Sequence, residues 1–172
     1  MNTGTDRAGG IEAAWRRERP DLDPSSIAVV TRIWQLAKVF ADERRRLLAT
    51  LDIDPALLDL LGTLRRSGHP YTLSTRELAE QTLVTPAAIS QRLTRAERQE
   101  WVTRTPGSGR RVLVRLTDAG RDLIDHVAGQ IFDRERELLS ALTGTEQRQL
   151  ATQLERLIHA IAEPGPIPTV GA

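Results

Sequence analysis

Between Ser74 and Leu116 the chain starts a helix twice in quick succession and then changes to a β pattern. Ser74 followed three residues later by Glu77 has the form of a capping box, in which hydroxyl and carboxylate each satisfy a backbone N–H at a helix start. It opens STRELAEQTL. Thr85-Pro86 is a second start, because threonine suits the N-cap and proline's fixed φ and missing N–H suit the first helical position. That helix extends to about Gln99. The β-branched runs WVTRT and RRVLVRL then flank PGSG, the pattern of a two-stranded hairpin. Two helices joined by a tight turn and followed by a hairpin make a winged helix-turn-helix.

The flanking sequence is helical by its periodicity. Ile11–Arg19 forms a short helix stopped by Pro20, and Asp23 or Ser25 caps a long helix through about Leu51. Its apolar residues Ile33, Leu36, Ala37 and Phe40 recur at i, i+3, i+4 and i+7. Pro55 opens another helix running to Gly68. Beyond the hairpin, Thr117 caps a long helix from Asp118 to about Leu142, and Thr145 with Glu146 opens the last one. There Leu150, Leu154, Leu157 and Ile161 form an apolar stripe. Such stripes have no partner within so small a winged-helix core, so the long arms are expected to bury against a second copy in a C2 homodimer. The expected fold is mainly α with a small β-hairpin wing. Its parts are a disordered N-terminus (1–9), an extra helix and long dimerisation helix (10–54), the winged helix-turn-helix (55–117), C-terminal dimerisation helices (118–162) and a disordered tail (163–172).

Composition narrows the function classes. Aromatic residues make up only 3%, so the core must be aliphatic, and no cysteine is present for a disulfide or thiolate metal site. His69, His126 and His159 show no ligand spacing, so neither a metal nor a cofactor is expected. No apolar run reaches the roughly 18 residues of a membrane span, and MNTGTDRAGG does not read as a signal peptide, which fits a cytoplasmic protein without a membrane partner. No Ser/His/Asp ordering or phosphate loop marks an enzyme.

The formal charge is only +1, so a nucleic-acid role must rest on a local patch. From Thr85 to Arg115 seven arginines stand against Glu97 and Glu100, a local +5. With about 100° per residue, Ile89, Leu93 and Ala96 share the inward face of the second helix. Ala87, Gln91, Thr94 and Arg95 point outward, suiting close approach to a major groove, and Thr85, Pro86 and Ser90 complete that surface. Arg110 and Arg111 at the wing tip are the expected phosphate contacts. Taken by itself, this helix is equally an ordinary amphipathic helix with solvated charges.

Arg92 falls beside Ile89 and Ala96, at the edge of the buried face. A guanidinium there needs an anionic partner. Arg104, in the first strand, could also face inward. Asp59 lies in LLDLLGTL, a helix apolar on nearly every side, and is the natural counterpart. Asp59 and Arg92 are either an ion pair holding two helices in register or part of a ligand site.

With these residues in view, the chain resembles the MarR family of bacterial winged-helix repressors over roughly residues 26–160. The telling segments are TLRRSG, TRELAEQTLVTPAAISQRLTRAE, the basic wing and VLVRLTDAGRDLI. WRRERPDLD (15–23) further resembles the extra N-terminal element of the PecS/HucR-type urate-responsive branch. That resemblance implies a homodimeric repressor on a pseudo-palindromic double-stranded DNA operator, released by a small anionic effector such as urate. The targets it suggests are an efflux transporter or a purine-metabolism gene. It further implies an effector pocket of Trp15, Asp59, Arg92 and Arg104. The family's wing commonly carries an acidic residue before its tip arginine; here Ser108 stands in that region. Two other readings are a regulator sensing a different anion, such as a phenolic acid, and a winged-helix protein-interaction module.

Overall fold

The computed structural model describes residues 7–109 and 111–161, which fall into two units divided after Arg45. In the first unit α1 spans Arg7–Glu18, and α2 (Ile27–Thr50) belongs to it as far as Arg45. Residues 7–9 are therefore helical, a correction to the disorder expected over 1–9; the expected tail 163–172 lies outside the described residues. An i,i+4 pair of Glu12 and Arg16 at 2.6 Å supports α1, and Pro20 follows its end. Asp23 accepts the backbone N–H of Ser25 at 3.0 Å on the approach to α2. Along α2, Val29, Val30, Ile33, Trp34, Leu36 and Val39 are each at least 40% exposed.

The second unit contains α3 (Pro55–Arg66), β1 (Thr72–Ser74), α4 (Thr75–Thr82), α5 (Pro86–Arg98), β2 (Val102–Pro106), β3 (Val112–Leu116), α6 (Asp118–Leu138) and α7 (Gly144–Ile161). Its helix starts are chemically defined. The Ser74–Glu77 capping box is complete in both directions, and Thr85 accepts the N–H of Ala88 at 3.2 Å. Asp54 caps α3 by accepting from Leu57 at 2.8 Å, and Thr117 caps α6 by accepting from Gly120 at 3.0 Å. At α7 the cap is Thr143 rather than Thr145: its N–H donates to Glu146 at 2.7 Å, and its hydroxyl accepts from the Glu146 N–H at 3.3 Å. The helix thus begins one residue earlier than its sequence suggests, and α6 stops at Leu138 rather than near Leu142.

The turn between α4 and α5 needs a residue in the left-handed region, and Leu83 occupies it with φ 53°. The hairpin is β2 and β3, antiparallel, with Arg104 opposite Val114. A third strand, β1, pairs with the other edge of β3, giving the order β1-β3-β2 in place of the two-stranded hairpin expected. Three residues of TLS carry too little alternation to read as a strand; pairing with β3, where Leu73 faces Val114, creates it.

The core forms where α3 meets these elements. Leu57, Leu60, Leu61 and Leu64 are at most 1% exposed and cluster with Leu78, Ile89, Leu93, Val102, Val114 and Val127. Each such side chain contributes about 1.5–3 kcal/mol by leaving water. The base of the wing is fixed against α6 by backbone: the Thr117 N–H donates to the Trp101 carbonyl at 3.0 Å. A Cβ at Gly120 would lie 2.1 Å from that same oxygen, so only glycine permits the approach. Arg65 adds a two-pronged bond to Asp125 on α6 at 2.7 and 3.1 Å. No helix among the described residues is long and apolar enough to cross a membrane.

Candidate nucleic-acid interface

The wheel expected for α5 is the one observed. Ile89, Leu93 and Ala96 are at most 1% exposed, whereas Thr85, Pro86, Ala87, Ser90, Gln91 and Arg95 are exposed. Thr94 is half-buried, and its hydroxyl donates to the Ser90 carbonyl at 3.0 Å, a bond within the helix that leaves the methyl as its free surface. Gly109, at φ 69°, lies in the wing turn, where the Gly107 N–H donates to Arg111 O at 2.9 Å. Ser108, Gly109 and Arg111 are exposed there, while Arg110 lies outside the described residues.

Among the described residues three ion pairs hold α5, and two of them involve partners that the sequence did not single out. Arg92 Nη1 donates to Asp59 Oδ2 on α3 at 3.5 Å, with side chains 22% and 31% exposed, so this pair meets as expected. Burial pushes the Asp59 carboxyl above its ordinary range even though Arg92 and, more weakly, Arg66 pull it down. Arg95, expected to reach outward, also binds back: its Nη1 donates to Oδ2 of Asp54, the N-cap of α3. The pair is solvent-accessible, with 57% of the Arg95 side chain exposed.

Arg104 has a partner outside the expected constellation. It does not join Asp59 and Arg92 but donates to Glu97 Oε2 on α5, through Nε at 3.0 Å and again through Nη2. This hydrogen bonding holds the Glu97 carboxyl below the ordinary glutamate range. The physical reason is local: Glu97 and Arg104 flank the turn between α5 and β2, so a partner seven residues away is within reach. Arg104 also lines a cavity of about 600 Å³ between α4, α5 and the wing, whose walls include Arg76, Glu80, Ser90, Leu93 and Val112. Trp15, the fourth residue of that set, lies on α1 of the first unit and is 47% exposed. Among the described residues no group of three or more His, Asp or Glu could hold a metal ion.

Asp54 and Glu97 are the residues that sequence reasoning missed. An aspartate immediately before a helix-opening proline signals an N-cap, but nothing in the sequence signals its second partner 41 residues on.

A model of the MarR family matches residues 51–111, which run from the last turn before α3 to the wing tip. The chain is 30% identical over 149 residues to the HTH-type transcriptional regulator PecS of Dickeya dadantii (strain 3937), covering 86% of this chain and 90% of that protein. The chain belongs to the MarR family. As a MarR-family member it is a DNA-binding transcriptional regulator and not an enzyme. Solved structures share the fold. Sco3205, a MarR family regulator from Streptomyces coelicolor in complex with DNA, superposes with a TM-score of 0.65 at 23% identity, covering 81% of this chain and 90% of its own. NadR in complex with 4-hydroxyphenylacetate gives 0.59 at 24% identity, covering 78% and 94%.

Proposed function

We propose that this MarR-family protein is a homodimeric repressor that binds a pseudo-palindromic operator and is released by a small anionic effector, with an anionic purine such as urate as the first candidate. The observation that carries the effector reading is the Asp59–Arg92 pair. It joins α3 to the same helix that presents Gln91, Thr94 and Arg95 outward. An anion competing with Asp59 for Arg92 would act on the position of α5 directly. Release then requires that the anion bind the DNA-free arrangement more tightly than the DNA-bound one.

The reading face is Thr85, Pro86, Ala87, Ser90, Gln91, Thr94 and Arg95 in the major groove, with Arg110 and Arg111 of the wing on flanking phosphates. In a dimer the half-sites stand about one helical turn of DNA apart. Exposed apolar residues on α2 and on α7, where Leu150, Leu154, Leu157 and Ile161 are 38–77% exposed, support dimerisation. Asp59 and Arg92 carry the proposed effector site, while Trp15 stands on α1 of the other unit.

A second effector class is favoured by the position of Arg104. With Ser90, Leu93 and Val112, Arg104 lines an open groove of about 600 Å³ that suits a phenolic acid, whose carboxylate would displace Glu97 from the arginine while the ring lies on the apolar wall. Calorimetric titration with urate and with salicylate, paired with anisotropy of labelled intergenic DNA, tests both. Urate binding with DNA release supports the first reading, and release by salicylate alone supports the second. DNA binding indifferent to both anions would remove the anionic-effector proposal.

A further inference from the structure

Arg95 is exposed on the outward face of α5, as Arg98 is, yet it is bound to an anion of the same chain. Asp54 uses its two oxygens for different tasks. Oδ1 accepts the Leu57 N–H at 2.8 Å and caps α3, while Oδ2 accepts from Arg95 Nη1. The cap anchors the carboxylate, so it is held where Arg95 meets it rather than following the arginine as a free surface side chain would. Together Asp54–Arg95 and Asp59–Arg92 join α3 and α5 as two parallel pairs. Only the Asp59 pair is mostly buried; more than half of the Arg95 side chain faces solvent.

We propose that Asp54 is a positioning residue that restrains DNA binding: it serves Arg95 as an internal counter-ion, which a DNA phosphate must replace. This rests on the reading face proposed for α5. A solvent-accessible pair is weak, so the exchange is reversible and its effect modest. It also has an electrostatic signature. While Arg95 is neutralised by Asp54, it adds no net charge to the patch, and its phosphate contact brings a carboxylate close to the DNA backbone. Removing the carboxylate adds one free cation per protomer at the interface.

Serine is the substitution that separates the two tasks of Asp54, because it keeps a good N-cap and loses the ion pair. Asp54→Ser is expected to bind a labelled duplex of the upstream intergenic DNA roughly two- to fivefold more tightly per protomer. The slope of log affinity against log salt should steepen by about one per protomer. Arg95→Ala should weaken binding, and Asp54→Ser should add nothing in the Arg95→Ala background. Thermal melts of Asp54→Ser and of Asp54→Asn, a second capping variant, establish that α3 is intact. Unchanged or weaker binding by both folded variants overturns the restraint. Equal tightening with and without Arg95 also overturns it, since a carboxylate acting on DNA through its charge alone would do that. Wild-type affinity in Arg95→Ala removes the reading face itself and the restraint with it.

Discussion

Arg92 on α5 and Asp59 on α3, 33 residues apart in sequence, meet at 3.5 Å at the edge of the core. The pair links the helix proposed to face the groove to the helix that centres the hydrophobic cluster. On the proposed function, a ligand acting on this pair would act on the reading surface of α5 without touching it. Arg92→Ala is therefore expected to remain folded and to bind operator DNA, but to lose release by effector. Anisotropy of the labelled duplex under a urate titration measures this, and release at the wild-type concentration would remove Arg92 from the coupling.

Asp59 and Glu97 lie on opposite sides of the ordinary carboxylate range, and their pH signatures oppose each other. Asp59 is raised by burial, so the folded chain holds its proton more readily than the unfolded one; its favourable contribution is present at low pH and lost as pH rises through the raised value. Relative to wild type, Asp59→Asn should gain stability as pH rises through that range. Glu97 is lowered by Arg104, so its contribution is present above the ordinary glutamate range and lost as pH falls through the lowered value. Glu97→Gln should cost about 0.5 kcal/mol at neutral pH, after allowing for solvent screening, and nothing in acid. Urea melts across a pH series check both signs.

Gly120 is expected to be intolerant of any side chain. A Cβ 2.1 Å from the Trp101 carbonyl oxygen meets backbone, which cannot swing aside as a side chain could. Gly120→Ala should cost about 2–3 kcal/mol by forcing α6 from the wing base. That corresponds to a fall of about 4–12 °C in Tm, read by circular dichroism. A melt within about 1 °C of wild type would show that the contact yields easily.

Gln91 and Arg111 should fail in different ways. Gln91→Ala removes a side chain able to read a base edge, so it should cost about 1–3 kcal/mol on operator DNA and little on random duplex. Arg111→Ala removes a phosphate contact, so both duplexes should weaken alike and the salt slope fall by about one. Loss of both mutants' effects at physiological salt would move the interface elsewhere.

Much of this architecture is local chemistry, which is why it is legible. Ser74 with Glu77, Thr85 with Pro86, and Thr117 each fix a helix start through bonds spanning three residues. The inward face of α5 follows from the helical repeat alone, and so does the edge position of Arg92. Membership of the MarR family was likewise readable from motifs within the helix-turn-helix and wing, and the relatives bear it out.

What only the tertiary structure decided is where long side chains find their partners. Arginine reaches far from its backbone, so helix phase says which way it leaves but not which carboxylate it meets. Arg95 leaves α5 on its outward face and still ends on Asp54, and Arg104 pairs with Glu97 rather than joining Asp59. Strand β1 belongs to the same class, because three residues become a strand only when the edge of β3 supplies their hydrogen bonds. The sequence by itself determined the helix starts, the wing and the buried faces, since these depend on neighbours within a turn or two. The Asp54–Arg95 and Asp59–Arg92 pairs and the third strand depend on distances between elements, and those exist only once the core has packed.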